Sequence, residues 1–345
     1  MTPRERVMAH LNNEPVDRIP NFTILMGFLP RYIGKPLSEF LLDHRVLVES
    51  NLLVCEEFGI DLLNTMSDPY READDFGSEV SYPYDSLPLI KYLLKTPADI
   101  KNVKPFKFAD SVRMMDRAKA VELYKREAGD KYPIMGFVEG CAAESADLLG
   151  LTNYIYAFYE EPEMVREIMD KCLESILDCI KPQVDAGADI IGVGDAVASV
   201  LGPNVYREWV LPYEKIIFEE IRRCGAVGRL HICGNIAPLL DDIKTCGARI
   251  VDVDWMVDLK EASDKLAGSA VVCGNFNPVS IVMSGNPEMV AEAVRKCVAD
   301  GGPHCFIMPG CEVPHGTPYE NLMAIHKALV DIGGTQGDGS LVFRQ

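Results

Sequence analysis

The chain has no Cys-x-x-Cys pair, no run of apolar residues long enough to span a bilayer and no cluster of basic residues. Each lack excludes something. With 52 acidic against 34 basic residues the net charge is −18, and the acids are spread along the chain. Nucleic acids and anionic membrane surfaces are held by basic patches, so neither is expected as a partner. The most apolar stretch, Ala186 to Val205, is interrupted by Asp189, Asp195, glycine and proline, so no membrane span is expected. The charged opening Met1-Thr2-Pro3-Arg4-Glu5-Arg6 is not followed by an apolar segment, and a secretory leader is not expected either. The 11 cysteines, irregularly spaced, then point to a reducing compartment and a cytoplasmic protein.

What is present is alternation. Eight short β-like runs can be placed: Arg18–Leu25, Asp61–Thr65, Tyr132–Phe137, Asp189–Gly194, Val227–Ile232, Arg249–Asp254, Ala270–Cys273 and His304–Met308. Between most of them lie stretches with helical periodicity, among them Glu161–Val184, Asn204–Arg223, Ile236–Cys246, Asp258–Leu266 and Pro287–Asp300. Eight strand–helix units predict an α/β fold, a (β/α)8 TIM barrel. A doubly wound sheet is the competing topology, but no Gly-x-Gly-x-x-Gly opens a helix after an early strand. The whole chain, 1–345, reads as one barrel domain preceded by a helix over Met1–Asn13. The segment Ser67–Leu89, rich in Asp, Tyr, Pro and Ser, reads as an inserted hairpin or lid near the barrel mouth. Gly333–Gln345 is glycine-rich and is expected to be a mobile tail.

Barrel enzymes carry their chemistry at the C-terminal ends of the strands. Those ends hold Glu139, Asp195, His231, Cys233, Asp254, Asn275 and, just after the last strand, Cys311. In Leu230-His231-Ile232-Cys233-Gly234-Asn235 the alternation of a strand points His231 and Cys233 to one side. An imidazole and a thiolate side by side begin a zinc site, and Cys311, framed by Pro309, Gly310 and Pro314, could supply a third ligand. Three protein ligands leave a position open, as in catalytic zinc sites. Taken singly, His-x-Cys reads as a core histidine beside a core cysteine and Cys311 is uninformative; only their joint placement at strand ends argues for a metal. Asp254 is either the fourth ligand or a loop cap. Asp195 and Glu139 either orient substrate or an imidazole, or are structural. Tyr213 reads as core, and His315, in a proline-rich loop, as exposed. Cys55, Cys172, Cys179, Cys224, Cys246 and Cys297 fall in helical patterns and read as packing residues. Cys273 and Cys305, within strands, read the same way, and Cys141 is intermediate.

These motifs together resemble the uroporphyrinogen decarboxylase superfamily, and within it the cobalamin-dependent methyltransferases of the methylcobamide:coenzyme M type. The resemblance runs through nearly the whole chain. It rests on Met1 to Arg6, Asp17-Arg18-Ile19-Pro20, Asp195 followed by Tyr213, His231-x-Cys233-Gly234-Asn235, Asp254-Trp255, Pro309-Gly310-Cys311 and Pro318-Tyr319-Glu320-Asn321. It implies a zinc ion on His231, Cys233 and Cys311; of the strand-end residues, Asp254, Asp195 and Glu139 are then the catalytic candidates and Asn235 and Asn275 the cofactor-facing ones. It implies a corrinoid presented by a partner protein, and a small thiol or methyl donor as substrate. The decarboxylases carry an arginine-rich motif near the first strand; here that stretch reads Met26-Gly27-Phe28-Leu29-Pro30-Arg31-Tyr32, with one arginine. Three alternatives stay open: methyl transfer from an ether or amine, a decarboxylase-like lyase, and a non-catalytic zinc barrel that docks a corrinoid protein.

Overall fold

The computed structural model describes residues 1–335 and 341–342. Nine strands precede residue 310. β1 is Leu63–Asn64, β2 Glu79–Ser81, β3 Leu89–Lys91, β4 Ile134–Glu139 and β5 Ile190–Gly194. β6 is Val227–His231, β7 Ile250–Asp252, β8 Val271–Phe276 and β9 Phe306–Pro309. Seven of them form one parallel sheet in the order β1-β4-β5-β6-β7-β8-β9, curled into a (β/α)8-type barrel. Chain order equals sheet order, the singly wound arrangement of a barrel rather than the reversed order of a doubly wound sheet.

The eighth position belongs to the segment expected as a strand over Arg18–Leu25, but it is not a regular one. Only Asn21 forms a bridge, to Ile307 on β9. Phe22 N donates to Ile307 O at 2.8 Å, and Asp61 N donates to Asn21 O at 2.9 Å, so the segment still joins both sheet edges. Pro20 has no N–H, and Asn21 N is taken at 2.7 Å by the Asp61 carboxylate rather than by a ladder carbonyl. Side-chain chemistry here replaces a strand.

Alternation then sorts residues between two layers. Inside the barrel Phe22, Met135, Phe137, Ile190, Ile250, Cys273, Phe306 and Met308 pack together. Leu63, Val138, Val193, Leu230, Ile232, Val251 and Ile307 face the helical shell. On β6 this places Arg229, His231 and, past the strand's end, Cys233 on the inner side. The helices Pro162–Ala186, Leu259–Leu266 and Pro287–Gly301 match the expected ones within about two residues. Among the described residues no helix is long and apolar enough to cross a membrane.

Two expected helices are broken. Over Asn204–Arg223 a π-turn at Tyr206–Val210 precedes the α-helix Leu211–Arg223. Pro212 lacks the N–H that would reach Glu208, so the regular ladder cannot run through. Over Ile236–Cys246 only short turns form, Ala237–Leu239 and Leu240–Ile243. Thr245 there donates back to the Asp242 carbonyl, and Gly247 leaves the helix with φ near +101°. The expected insert contains the helix Arg71–Asp75 and the hairpin β2–β3, which extends past Leu89 to Lys91. It follows the C-terminal end of β1, and Leu94 N binds Leu148 O at 3.0 Å beside the helix that follows β4. Of the expected tail, Gly334–Thr335 pairs antiparallel with Leu341–Val342, and the remainder lies outside the described residues.

At the base, the fully buried Asp61 receives Arg6 Nη1 at 2.7 Å, Arg18 Nη1 at 2.6 Å and Arg18 Nη2 at 2.9 Å. The N-terminal helix Pro3–Leu11, the pre-barrel segment and the entrance to β1 are therefore tied by one carboxylate. Removing it would leave the nearly buried Arg18 without an ionic partner and Arg6 with Asp17 alone. Asp61→Ala is expected to cost about 3–5 kcal/mol in denaturant unfolding, the range for breaking buried ion pairs. A loss below about 1 kcal/mol, typical of exposed pairs, would show that these charges are well solvated.

Candidate metal centre

His231 ends β6, Cys233 lies two residues on, and Cys311 lies in the loop after β9. Their ligand atoms lie within 4.8 Å of one another. His231 Nε2 is 3.1 Å from Cys233 Sγ and 3.8 Å from Cys311 Sγ, and the two sulfurs are 3.3 Å apart. Around a tetrahedral zinc the sulfurs would stand about 3.8 Å apart, and nitrogen and sulfur about 3.5 Å, given bonds near 2.3 and 2.0 Å. The donors therefore fit that ion with adjustments of about half an ångström. They are two soft sulfurs and one imidazole, the donor set zinc prefers.

Glycines bring the loops together. A Cβ on Gly310 would lie 2.4 Å from Trp255 N and 2.6 Å from Asp254 Oδ1. Only glycine lets the β9 loop approach the β7 loop so closely, and Cys311 follows it directly. Gly234 turns the chain after Cys233 with φ near +92°. Beyond Cys311, Glu312 accepts Gly27 N at 2.8 Å and Val313 N donates to Ile24 O at 3.1 Å. The third cysteine is thus clamped between the ends of two chain segments.

The imidazole is oriented from behind by a residue the sequence reading passed over. Asp252 Oδ2 is 2.8 Å from His231 Nδ1, and Asp252 in turn holds Arg229 Nε at 2.9 Å. All three side chains are nearly or fully buried inside the barrel. A carboxylate on Nδ1 fixes the tautomer that leaves Nε2 as the donor toward the two sulfurs. Burial raises the Asp252 carboxyl, but Arg229 and His231 outweigh that and hold it below its ordinary value. Hydrogen bonding from Cys233, then from His231, holds the Cys311 thiol down at about 4 despite its burial. Cys233 is pushed up as the donor of that pair, and by burial.

The other expected residues lie apart from this trio. Asp254 accepts Gly234 N at 2.7 Å and Trp255 N at 2.6 Å, the geometry of a loop cap on the turn after Cys233 and on its own turn after β7. Asp195, fully buried behind the barrel wall, accepts Ala143 N at 2.8 Å at the start of the helix Cys141–Leu149. Burial pushes its carboxyl up to about 7. Neither asparagine turns its amide to the sulfurs. Asn235 accepts Ala237 N at 3.1 Å, and Asn275 donates to Asp254 O and Val257 O at 3.2 and 2.6 Å. Tyr213 is buried with its hydroxyl donating to Asp170 at 2.7 Å, and His315 is exposed. Burial raises the thiols of Cys55, Cys141, Cys172, Cys179, Cys246, Cys273, Cys297 and Cys305, as inert packing residues require. Glu139 differs from all of these: it projects into the barrel in the same row as His231.

A barrel with such a centre defines a class, and comparison with known proteins names it. The family model for uroporphyrinogen decarboxylase (URO-D) matches residues 2–331, and the chain belongs to that family. A methylcobamide:CoM methyltransferase, MtbA, of Methanosarcina acetivorans is 29% identical over 331 residues, covering 93% of this chain and 95% of that protein. A uroporphyrinogen decarboxylase of Carboxydothermus hydrogenoformans is 27% identical over 284 residues, 79% of each chain. Among solved structures, a methyltransferase from Methanosarcina mazei superposes with a TM-score of 0.86 at 22% identity, covering 95% of this chain and 98% of that one. That superposition supports the same barrel architecture.

Proposed function

We propose that this chain is a zinc-dependent methyltransferase that moves a methyl group between a corrinoid protein and a small thiol. The observation that carries the reading is the trio itself: three ligand atoms, two of them sulfur, converge at a barrel mouth, with the imidazole aligned by Asp252. A resident zinc would supply Lewis acidity that keeps a bound thiol deprotonated at neutral pH, which makes it a nucleophile. The residues around it do the rest. Asp252 and Arg229 hold His231 in one tautomer. Asp254 and Gly310 fix the two loops, and Cys233 and Cys311 provide the anionic sulfurs. The exposed Tyr84 and Leu87 lie in the insert after β1, Val200 in the segment after β5 and Trp255 in the turn after β7, and we assign this rim to the corrinoid protein.

Decarboxylation of a polycarboxylate is disfavoured by a specific contact. Arg31, the one arginine in the stretch Met26–Tyr32, donates to His315 O at 2.6 Å and Thr317 O at 3.1 Å, so it is engaged by the protein's own backbone. The test is an absorbance assay with methylcobalamin and a panel of thiols. Zinc-loaded protein is expected to consume methylcobalamin in proportion to the methyl thioether formed, and chelated protein to lose at least about 100-fold in rate, the scale of one strong electrostatic contribution to catalysis. Equal rates with and without zinc would reject a catalytic metal. Release of carbon dioxide from a porphyrinogen would favour the lyase.

A further inference from the structure

The inner face of the mouth next to the metal centre is acidic, and its acids are poorly satisfied. Glu139, Gly194 and His231 stand in register on β4, β5 and β6, in a row that continues to Asp252 on β7. Gly194, between the acid and the imidazole, has no side chain. Glu139 Oε2 lies 2.9 Å from where a Gly194 Cβ would be, so the carboxyl leans across β5 toward His231. Strands stand about 4.8 Å apart, so its head reaches within roughly one strand spacing of the histidine's strand. Glu139 retains 7% exposure at this rim.

Behind it lie Glu72, Glu144 and Asp147. Glu72 Oε1 accepts Glu139 N at 3.0 Å and Arg117 Nη1 at 3.2 Å, while its Oε2 has no partner. Glu144 is fully buried and neither of its oxygens has a partner. Burial, then mutual repulsion, pushes the carboxyls of Glu139, Glu144 and Asp147 well above the ordinary range, so the cluster holds protons that an arriving cation would displace, returning Glu139 to its charged form. The cation bearing on Glu139 is Arg117; its Nη1 is held by Glu72 and by Phe137 O, while its Nε and Nη2 have no partner, so one guanidinium faces several carboxyls. Arg71 and Arg113, further out, are paired with Asp116 and Asp68. Among the described residues these acids bring no three ligand atoms together as the His–Cys–Cys trio does, so a bare metal ion is not what they fit. Buried carboxyls without partners are instead completed by a group carrying several N–H donors and a positive charge.

We infer that the thiol held at the His231–Cys233–Cys311 centre carries a cationic amine a short chain away from its sulfur, and that Glu139 receives this amine with Glu72, Glu144 and Asp147 behind it. The inference rests on the thiol-methylation reading above and adds the acceptor's charge. An anionic thiol of the same length would meet carboxyls where it needs cations.

Three thiols of equal chain length test this: 2-aminoethanethiol, 2-mercaptoethanol and 2-mercaptoethanesulfonate. Each is titrated into the full chain loaded with cobalt in place of zinc, following the sulfur-to-metal charge-transfer band. Affinities are corrected for each thiol's own pKa. The amine is expected to bind at least about tenfold more tightly than the neutral thiol, a single charge-assisted contact. The sulfonate is expected to bind at least about tenfold more weakly than the neutral thiol, the cost of one unfavourable charge contact. In Glu139→Gln the amine-to-sulfonate ratio should shrink at least about fivefold, with 2-mercaptoethanol little changed. Coordination of all three with equal affinity, or tightest binding of the sulfonate, would overturn the inference and leave thiol activation standing. Coordination of none would overturn thiol activation and this inference with it. The three-thiol comparison on the unmodified protein decides the matter even if the Glu139 variant fails to fold.

Discussion

Cys311→Ala is expected to lose zinc almost completely while the barrel stays folded. The apparent binding free energy of a four-ligand structural zinc is about 10–16 kcal/mol, so one ligand contributes on the order of 3–4 kcal/mol, or roughly 10²–10³ in affinity. Cys311 lies partly exposed in a loop beyond β9, outside both layers of the hydrophobic core. Its truncation removes a ligand without opening a cavity, and the metal-free melting temperature should move by only a few degrees. Cys141→Ala is the control, since that thiol is fully buried in a helix and belongs to the packed shell. It should cost stability and keep zinc. Metal analysis after dialysis against a weak chelator, read beside thermal melts, separates the two. Retention of one zinc by Cys311→Ala would mean that the loop cysteine is not a ligand.

Asp252→Ala is expected to damage both stability and metal binding, because two buried cationic or donor groups lean on that carboxylate. Arg229 is 2% exposed and His231 8%, and both lose their ionic partner. Breaking a buried pair from one side costs about 3–5 kcal/mol. Loss of the carboxylate behind a ligating histidine typically lowers metal affinity about 10–100-fold. Asp252→Asn should fall between, since an amide can still accept from one of the two but carries no charge. Asp254→Ala provides the contrast: it removes two backbone caps and is expected to weaken zinc modestly at most. A variant of Asp252 that keeps full stability and full zinc affinity would remove the orienting role assigned to it.

The difference between these two aspartates shows what the sequence could convey. The strand positions followed from period-two runs between helical stretches, because burial on alternate faces writes itself into residue type. Asp254 stood out because it sits at the expected end of a strand next to Trp255. Asp252 did not, because its role depends on register: only the pairing of β6 with β7 sets it opposite His231. A pattern Asp-x-Asp beside a His-x-Cys strand was the available signal, since period two puts both acids on the His face. Register also explains the acidic pocket. Glu139 was visible at a strand end, but Glu72 and Glu144 come from a loop helix and from the helix after β4, and no local spacing joins them. Asn235 and Asn275 illustrate the converse. Their place at the rim was legible, but their amides hold backbone groups of the loops, which residue type alone does not reveal.

The central claim is that the trio leaves one coordination position open to a substrate thiol. X-ray absorption at the zinc edge tests it directly. The resting protein should show two sulfur scatterers near 2.3 Å with nitrogen or oxygen completing the shell, as two cysteines and one histidine require. After saturation with a small thiol the sulfur count should rise to three, with loss of the light-atom scatterer. A shell that stays at two sulfurs and two light atoms with every thiol tried would contradict the account.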